Sequence, residues 1–202
     1  LVTLLRPEDQ FKKLGSIGKE IFGIDRIRIL DENRNEVPDG QVGELFYRTP
    51  MLFKEYLKEP EKTREAFDGE WSSAGDMVRR DEDGYYTLVD RKANMIITGG
   101  ENVYPSEVES AVGSHEAVKD IAVIGVPDEK WGEAIKAVVV LHEGYEASEE
   151  LTKDITEFSR GKIAGFKRPK SIDFVTDKEM PRTPTGKILH RILREKYGKW
   201  GE

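Results

Sequence analysis

The apolar pattern changes character once along this chain, between Arg91 and Asn94, and that change governs what it can fold into. Upstream, Ile24-Asp25-Arg26-Ile27-Arg28-Ile29-Leu30 alternates with period two, the mark of a half-buried strand. Polar turns over 31–35 and Val37–Gly40 precede a second strand, Val42–Arg48. Pro60–Phe67 reads as a short, proline-led surface helix. Asp76–Arg80 and Tyr85–Val89 form a hairpin about Asp83-Gly84. Such successive hairpins predict a barrel-like, distorted sheet over residues 1–90. Downstream, helices and strands alternate: a helix at Ser106–Val112, strands at Val118–Val126 and Glu133–His142, and a helix opened by Ser148 as N-cap with Leu151, Ile155 and Phe158 on one face. A short strand Ile172–Val175 and a basic amphipathic helix Gly186–Tyr197 follow. The run Ala137-Val138-Val139-Val140-Leu141 suits a strand covered on both faces. The expectation is a mixed α+β chain: a β-rich unit over 1–90, a hinge at 91–94 and a small α/β domain over 95–202.

The junction carries a distinctive order. Asp90-Arg91-Lys92 places charges side by side, Met95–Thr98 is a short apolar strand, Gly99-Gly100 breaks it, and a helix starts at Pro105. Proline suits a first helical turn because its missing N–H is no loss there. Without Cβ atoms, the two glycines let backbone approach a ligand closely. Read alone, they are equally a simple turn between strand and helix.

Composition narrows the classes. The chain has 202 residues, enough for one or two domains with a real core, and no cysteine, which excludes disulfides and thiolate metal sites and fits a reducing cytoplasm. No apolar run approaches the ~20 residues of a membrane span. A net charge of −7 argues against a general nucleic-acid binder. The basic residues are unevenly spread, with twelve between Arg160 and Lys199 against four acidic ones, which points to local anion handling or a solvated face. Abundant Lys and Glu beside few Gln hint at a thermophile. His115, His142 and His190 are scattered without metal or catalytic spacing.

The second distinctive run is Pro181-Arg182-Thr183-Pro184-Thr185-Gly186-Lys187-Ile188, which sets a lysine beside a glycine at an expected helix start, a site favourable to anions. Together with Gly99-Gly100-Glu101-Asn102-Val103-Tyr104-Pro105-Ser106-Glu107-Val108-Glu109, it resembles the acyl-adenylate-forming superfamily, in particular its AMP-forming acyl-CoA synthetases. The resemblance covers essentially the whole chain but only the C-terminal portion of such enzymes. It implies that residues 1–90 end the N-terminal domain and that the α/β domain is a mobile lid. Lys187 would be the catalytic lysine of adenylation. Asp76, in Trp71-Ser72-Ser73-Ala74-Gly75-Asp76, and Arg91 would hold the ATP ribose, although Ala74 replaces the family's usual threonine. Gly99, Gly100 and Trp131 would border CoA, with Phe166, Arg168 and Lys170 meeting its adenine and phosphates. Read singly, Trp131 and Phe166 are packing residues and Lys187 a surface lysine.

The resemblance also implies ATP/AMP, CoA and Mg2+ as cofactors, the Mg2+ ligand lying in an N-terminal part absent here. A small-molecule carboxylic acid, as in fatty acid metabolism, is the implied substrate, and an acetyltransferase acting on Lys187 an implied regulator. Domain alternation would pivot at Ala93, where the family commonly has Asp or Lys. The chain alone is expected to be inactive. Alternatives are a peptide-synthetase adenylation domain, a luciferase-like oxidase, or a non-catalytic module binding nucleotide or protein.

Overall fold

A computed structural model describes residues 2–24 and 26–198; Asp25, within the expected first strand, and Lys199, within the basic segment, lie outside them. The chain folds as two units, Leu1–Ala93 and Asn94–Glu202. Among the described residues no helix is long and apolar enough to cross a membrane.

The first unit contains β1 (Thr3–Leu4), β2 (Ser16–Glu20), β3 (Arg26–Leu30), β4 (Val42–Arg48), α1 (Pro60–Ala66), β5 (Phe67–Asp68), β6 (Trp71–Arg80) and β7 (Tyr86–Arg91). All pair antiparallel in the order β1-β2-β7-β6-β4-β3, with β5 added to β6. Among the described residues the sheet is open, since β1 and β3 end the path without pairing to each other. Irregular registers in β2–β7, β4–β6 and β6–β7 bend it into a curled half-barrel. Alternation carries Ile27, Ile29, Leu45 and Val78 into one core with Tyr86, whose hydroxyl donates to Glu20 at 2.8 Å. That bond satisfies the one polar atom of an otherwise buried ring.

The second unit contains β8 (Ile96–Thr98), β9 (Glu101–Val103), α2 (Pro105–Gly113), β10 (Val118–Asp128), β11 (Gly132–Leu141), α3 (Glu149–Phe158), β12 (Ser171–Phe174) and α4 (His190–Tyr197). Its five-stranded sheet runs β10-β11-β8-β9, and β12 joins β11 in parallel. The apolar run of β11 is covered on both faces, as its sequence requires. Ile135, Ala137 and Val139 join Ile121 and Val123 in the core beneath Val108, Val112 and Ile155, while Val138 and Val140 join Ala122 and Ile124 against Met180 and Leu193. Ser148 caps α3 by accepting from Leu151 N at 3.1 Å.

Two local expectations change. Gly99-Gly100 does not lead from strand to helix; it turns β8 back into β9, with Thr98 paired to Glu101. Both glycines have positive φ, 60° and 85°, as a two-residue hairpin matching the strand twist demands. The last helix begins at His190 rather than Gly186, because residues 181–189 form a hairpin-like loop instead. There Thr183 N donates to Lys187 O at 2.8 Å and Leu189 N to Pro181 O at 2.9 Å, around an Arg182–Ile188 bridge. Lys187 therefore stands on a loop, not in the first turn of a helix, and the helix-end argument for its anion affinity does not apply.

Candidate active site

Each unit carries candidate site residues of its own. In the first, β6 bulges over Ala74-Gly75-Asp76: Ser73 opposes Phe46 and Met77 opposes Glu44, leaving three residues across from one. Ser73 Oγ fixes the bulge by accepting from Gly75 N at 3.0 Å and donating to Glu44 Oε1 at 2.6 Å. Glu44 Oε2 in turn takes Lys92 Nζ at 2.8 Å. Asp76 is paired in register with Arg91 on β7, and Arg91 Nε lies 2.8 Å from Asp76 Oδ1. Arg91 also donates to Ala74 O at 3.1 Å. Sequence thus placed together two residues that the β6–β7 pairing does bring together.

The Asp76–Arg91 contact is an ion pair rather than an aligned hydrogen bond, so buried Oδ1 retains an unsatisfied acceptor. A carboxylate with spare acceptor capacity suits a vicinal diol. Burial pushes the Asp76 carboxyl above its ordinary value, with the Arg91 guanidinium pulling the other way. A carboxyl whose pKa is raised on folding costs stability once ionised; the cost appears as pH rises from the ordinary carboxylate range and is complete above the folded-state pKa. Asp76→Asn is therefore expected to keep or raise Tm at pH 7, with the difference fading below about pH 4. Thermal melts at the two pH values check it.

In the second unit the glycine hairpin and Trp131 form one assembly. Gly99 N donates to Trp131 O at 2.8 Å, and Gly132 pairs with Thr98. A Cβ on Gly99 would stand 2.9 Å from Trp131 Cε3, so the bare glycine admits the indole against the turn. Asp128 Oδ1 accepts from both Lys130 N and Trp131 N at 2.9 Å, shaping the turn that presents the ring. Trp131 remains 43% exposed, and the space beside Gly100 is open. Glu133, which sequence reasoning passed over, accepts from Ile97 N at 2.7 Å and braces β8 from behind.

Phe166, Arg168 and Lys170 lie on and after a single helical turn, Gly165–Lys167. Phe166 is 43% exposed, and Lys167 anchors the turn to α2 through Glu107 at 2.7 Å. Lys170 N is tied to Ile135 O at 2.8 Å, while its side chain is exposed. No hydrogen bond, ion pair or ring contact joins these residues to Trp131 among the described residues. Lys187 is exposed, and its ammonium has no hydrogen-bond or ion-pair partner among the described residues. Its loop leads into α4, whose first residue, His190, meets Glu109 of α2 at 2.8 Å. His190 received no role from sequence; spacing along the chain could not reveal a partner 81 residues away. No three His, Asp or Glu side chains gather to hold a metal among the described residues.

Comparison with known proteins follows the same division. Residues 1–57 match the AMP-binding enzyme family and residues 107–187 the AMP-binding enzyme C-terminal domain. The chain is 42% identical to long-chain-fatty-acid–CoA ligase FadD13 of Mycobacterium tuberculosis over 96% of its own length and 37% of that protein. It is 41% identical to feruloyl-CoA synthase of an Amycolatopsis species, over 93% of this chain and 37% of the relative. Among solved structures, o-succinylbenzoate CoA synthetase from Bacillus subtilis, in complex with its acyl-adenylate intermediate, superposes with a TM-score of 0.82 at 32% identity, covering all of this chain and 39% of that one. The chain thus spans somewhat over a third of the curated relatives it matches.

Proposed function

Because this chain belongs to the AMP-binding enzymes and matches the C-terminal portion of their acyl-CoA ligases, we propose that it supplies the C-terminal portion, mobile lid included, of an AMP-forming carboxylic acid–CoA ligase. In the first half-reaction a carboxylate oxygen attacks the α-phosphorus of ATP, and the bond to pyrophosphate breaks, leaving acyl-AMP. In the second, CoA thiolate attacks the acyl carbonyl and expels AMP.

The observation that carries this reading is the pair of separate polar devices: an ammonium at Lys187 without a partner among the described residues, and an open glycine turn roofed by Trp131. Negative charge gathers on the phosphoryl oxygens during adenylation, and a fixed ammonium lowers that barrier more than it stabilises bound substrates. Asp76 and Arg91 would orient the ribose hydroxyls, which fixes the nucleotide against the incoming carboxylate. In the second half-reaction Gly99 and Gly100 would give the narrow thiol arm of CoA passage, with Trp131 alongside. Phe166 would offer a ring face to its adenine, and Arg168 and Lys170 their charges to its phosphates. Rotation about Ala93 would exchange the two devices, a gating use of domain motion. The acid itself is a small-molecule carboxylate.

The test compares the chain alone with the full-length enzyme in acid-dependent exchange between pyrophosphate and ATP. The isolated chain is expected at background, because its sequence holds no Gly/Ser/Thr-rich phosphate loop to orient a triphosphate for in-line attack. Exchange by the isolated chain would sink the reading. Acetylation of Lys187 would remove the charge on which adenylation depends, and Lys187→Gln is expected to lose exchange in the full-length enzyme.

A further inference from the structure

We propose that Arg182 is the positioning residue for Lys187, holding its loop in place from a charge network seated on β10; this rests on the adenylation role given to Lys187 above. The Arg182 guanidinium works in two directions. Its Nη2 pairs with Asp120 Oδ2 and lies 3.5 Å from Asp177 Oδ1. Its Nη1 donates to the carbonyl of Gly186 at 3.2 Å. That carbonyl belongs to the peptide group entering Lys187, so fixing it fixes the plane from which the lysine side chain departs.

The anchor is well founded. Asp120 sits at the irregular register that opens β10, and its Oδ1 accepts from Ile121 N at 2.9 Å, so the carboxylate is tied to the strand. Lys119 Nζ meets Asp177 Oδ2 at 2.6 Å, which completes a set of two cations and two anions. The Arg182 and Asp120 side chains are each less than a third exposed. The loop itself buries little, since residues 184–187 are all exposed. Packing alone therefore gives little restraint to Lys187, and the planar five-donor fork of arginine spans strand and carbonyl where a lysine would reach only one.

The experiment uses the full-length enzyme carrying Arg182→Gln, Arg182→Lys or Asp120→Asn, alone and with Lys187→Ala. Adenylation and thioester formation from supplied acyl-AMP are measured separately. Arg182→Gln is expected to lower the adenylation rate ~10–10²-fold, the scale of a misplaced catalytic group, and to leave thioester formation unchanged. Asp120→Asn should shift adenylation the same way. In the Lys187→Ala background Arg182→Gln should add no further loss, because a residue acting through the lysine has nothing left to position. Unchanged adenylation in Arg182→Gln, or a further loss in that background, overturns the assignment. Should Arg182→Gln fold poorly, Arg182→Lys retains a cation for Asp120 and is expected to lower adenylation selectively; equal loss of both halves in that variant also overturns it. Full adenylation by Lys187→Ala alone would instead strike the proposed function itself.

Discussion

Lys187→Ala in the full-length enzyme is expected to lower acyl-AMP formation by at least ~10²–10³-fold, the effect of removing one charge-stabilising donor from a preorganised site. The same variant should still convert supplied acyl-AMP and CoA to thioester. The size of the effect follows from the loop. Thr183 Oγ1 accepts from Lys187 N at 3.1 Å and Thr183 N donates to Lys187 O at 2.8 Å, so the backbone of the lysine is held on both sides. Its ammonium has no partner among the described residues and can meet an incoming phosphate without breaking an ion pair first. Alanine leaves the held backbone intact and removes only the charge. Measuring the half-reactions separately, by pyrophosphate exchange and by thioester release from acyl-AMP, gives the answer. Equal loss of both in a folded variant would rule out a lysine dedicated to adenylation.

Gly100→Leu is expected to show the opposite split, with thioester formation reduced by ~10²-fold or more and adenylation retained. The geometry makes the substitution informative at this glycine and not at its neighbour. A Cβ at Gly100 would meet nothing within 4 Å, so a leucine would project into open space without disturbing the hairpin contacts. A Cβ at Gly99 would press on the Trp131 ring and disturb the turn itself. The remaining cost is backbone strain, since φ is +85° at Gly100. Gly100→Asn controls for it, because asparagine tolerates this region and has a short side chain. Thioester formation should fall far more for leucine than for asparagine. Equal losses in the two variants would mean that strain, not obstruction, is responsible.

Much of the fold was legible because it is encoded locally. Val42–Arg48 is a strand over the residues expected after the Val37–Gly40 turn, and Pro105 opens a helix that buries Val108 and Val112 four residues apart. Ser148 caps the helix expected after it, and the uninterrupted valine run of β11 is covered on both faces. Short-range periodicity and capping are properties of neighbouring residues, so one sequence suffices to read them. The Gly99-Gly100 run likewise marked where the backbone would turn, and the composition excluded disulfide and thiolate chemistry outright.

What the sequence left open depends on residues far apart in the chain. Strand β9 has three residues, too few for any period, and exists because β8 lies beside it across a tight turn. The basic run from Gly186 looked helical throughout, but its first turn is replaced by a loop bonded between Pro181 and Leu189. The three-residue bulge that ends at Asp76, whose carboxylate is short of a hydrogen bond, follows from pairing with β4 some thirty positions earlier. Arg182 finds Asp120 across 62 residues and His190 finds Glu109 across 81. The sequence by itself determined which residue types carry charge, turn or core; only the tertiary structure decided which of those charges meet. An ion pair or an orphaned acceptor is set by distances in space, and those are fixed when the sheets form.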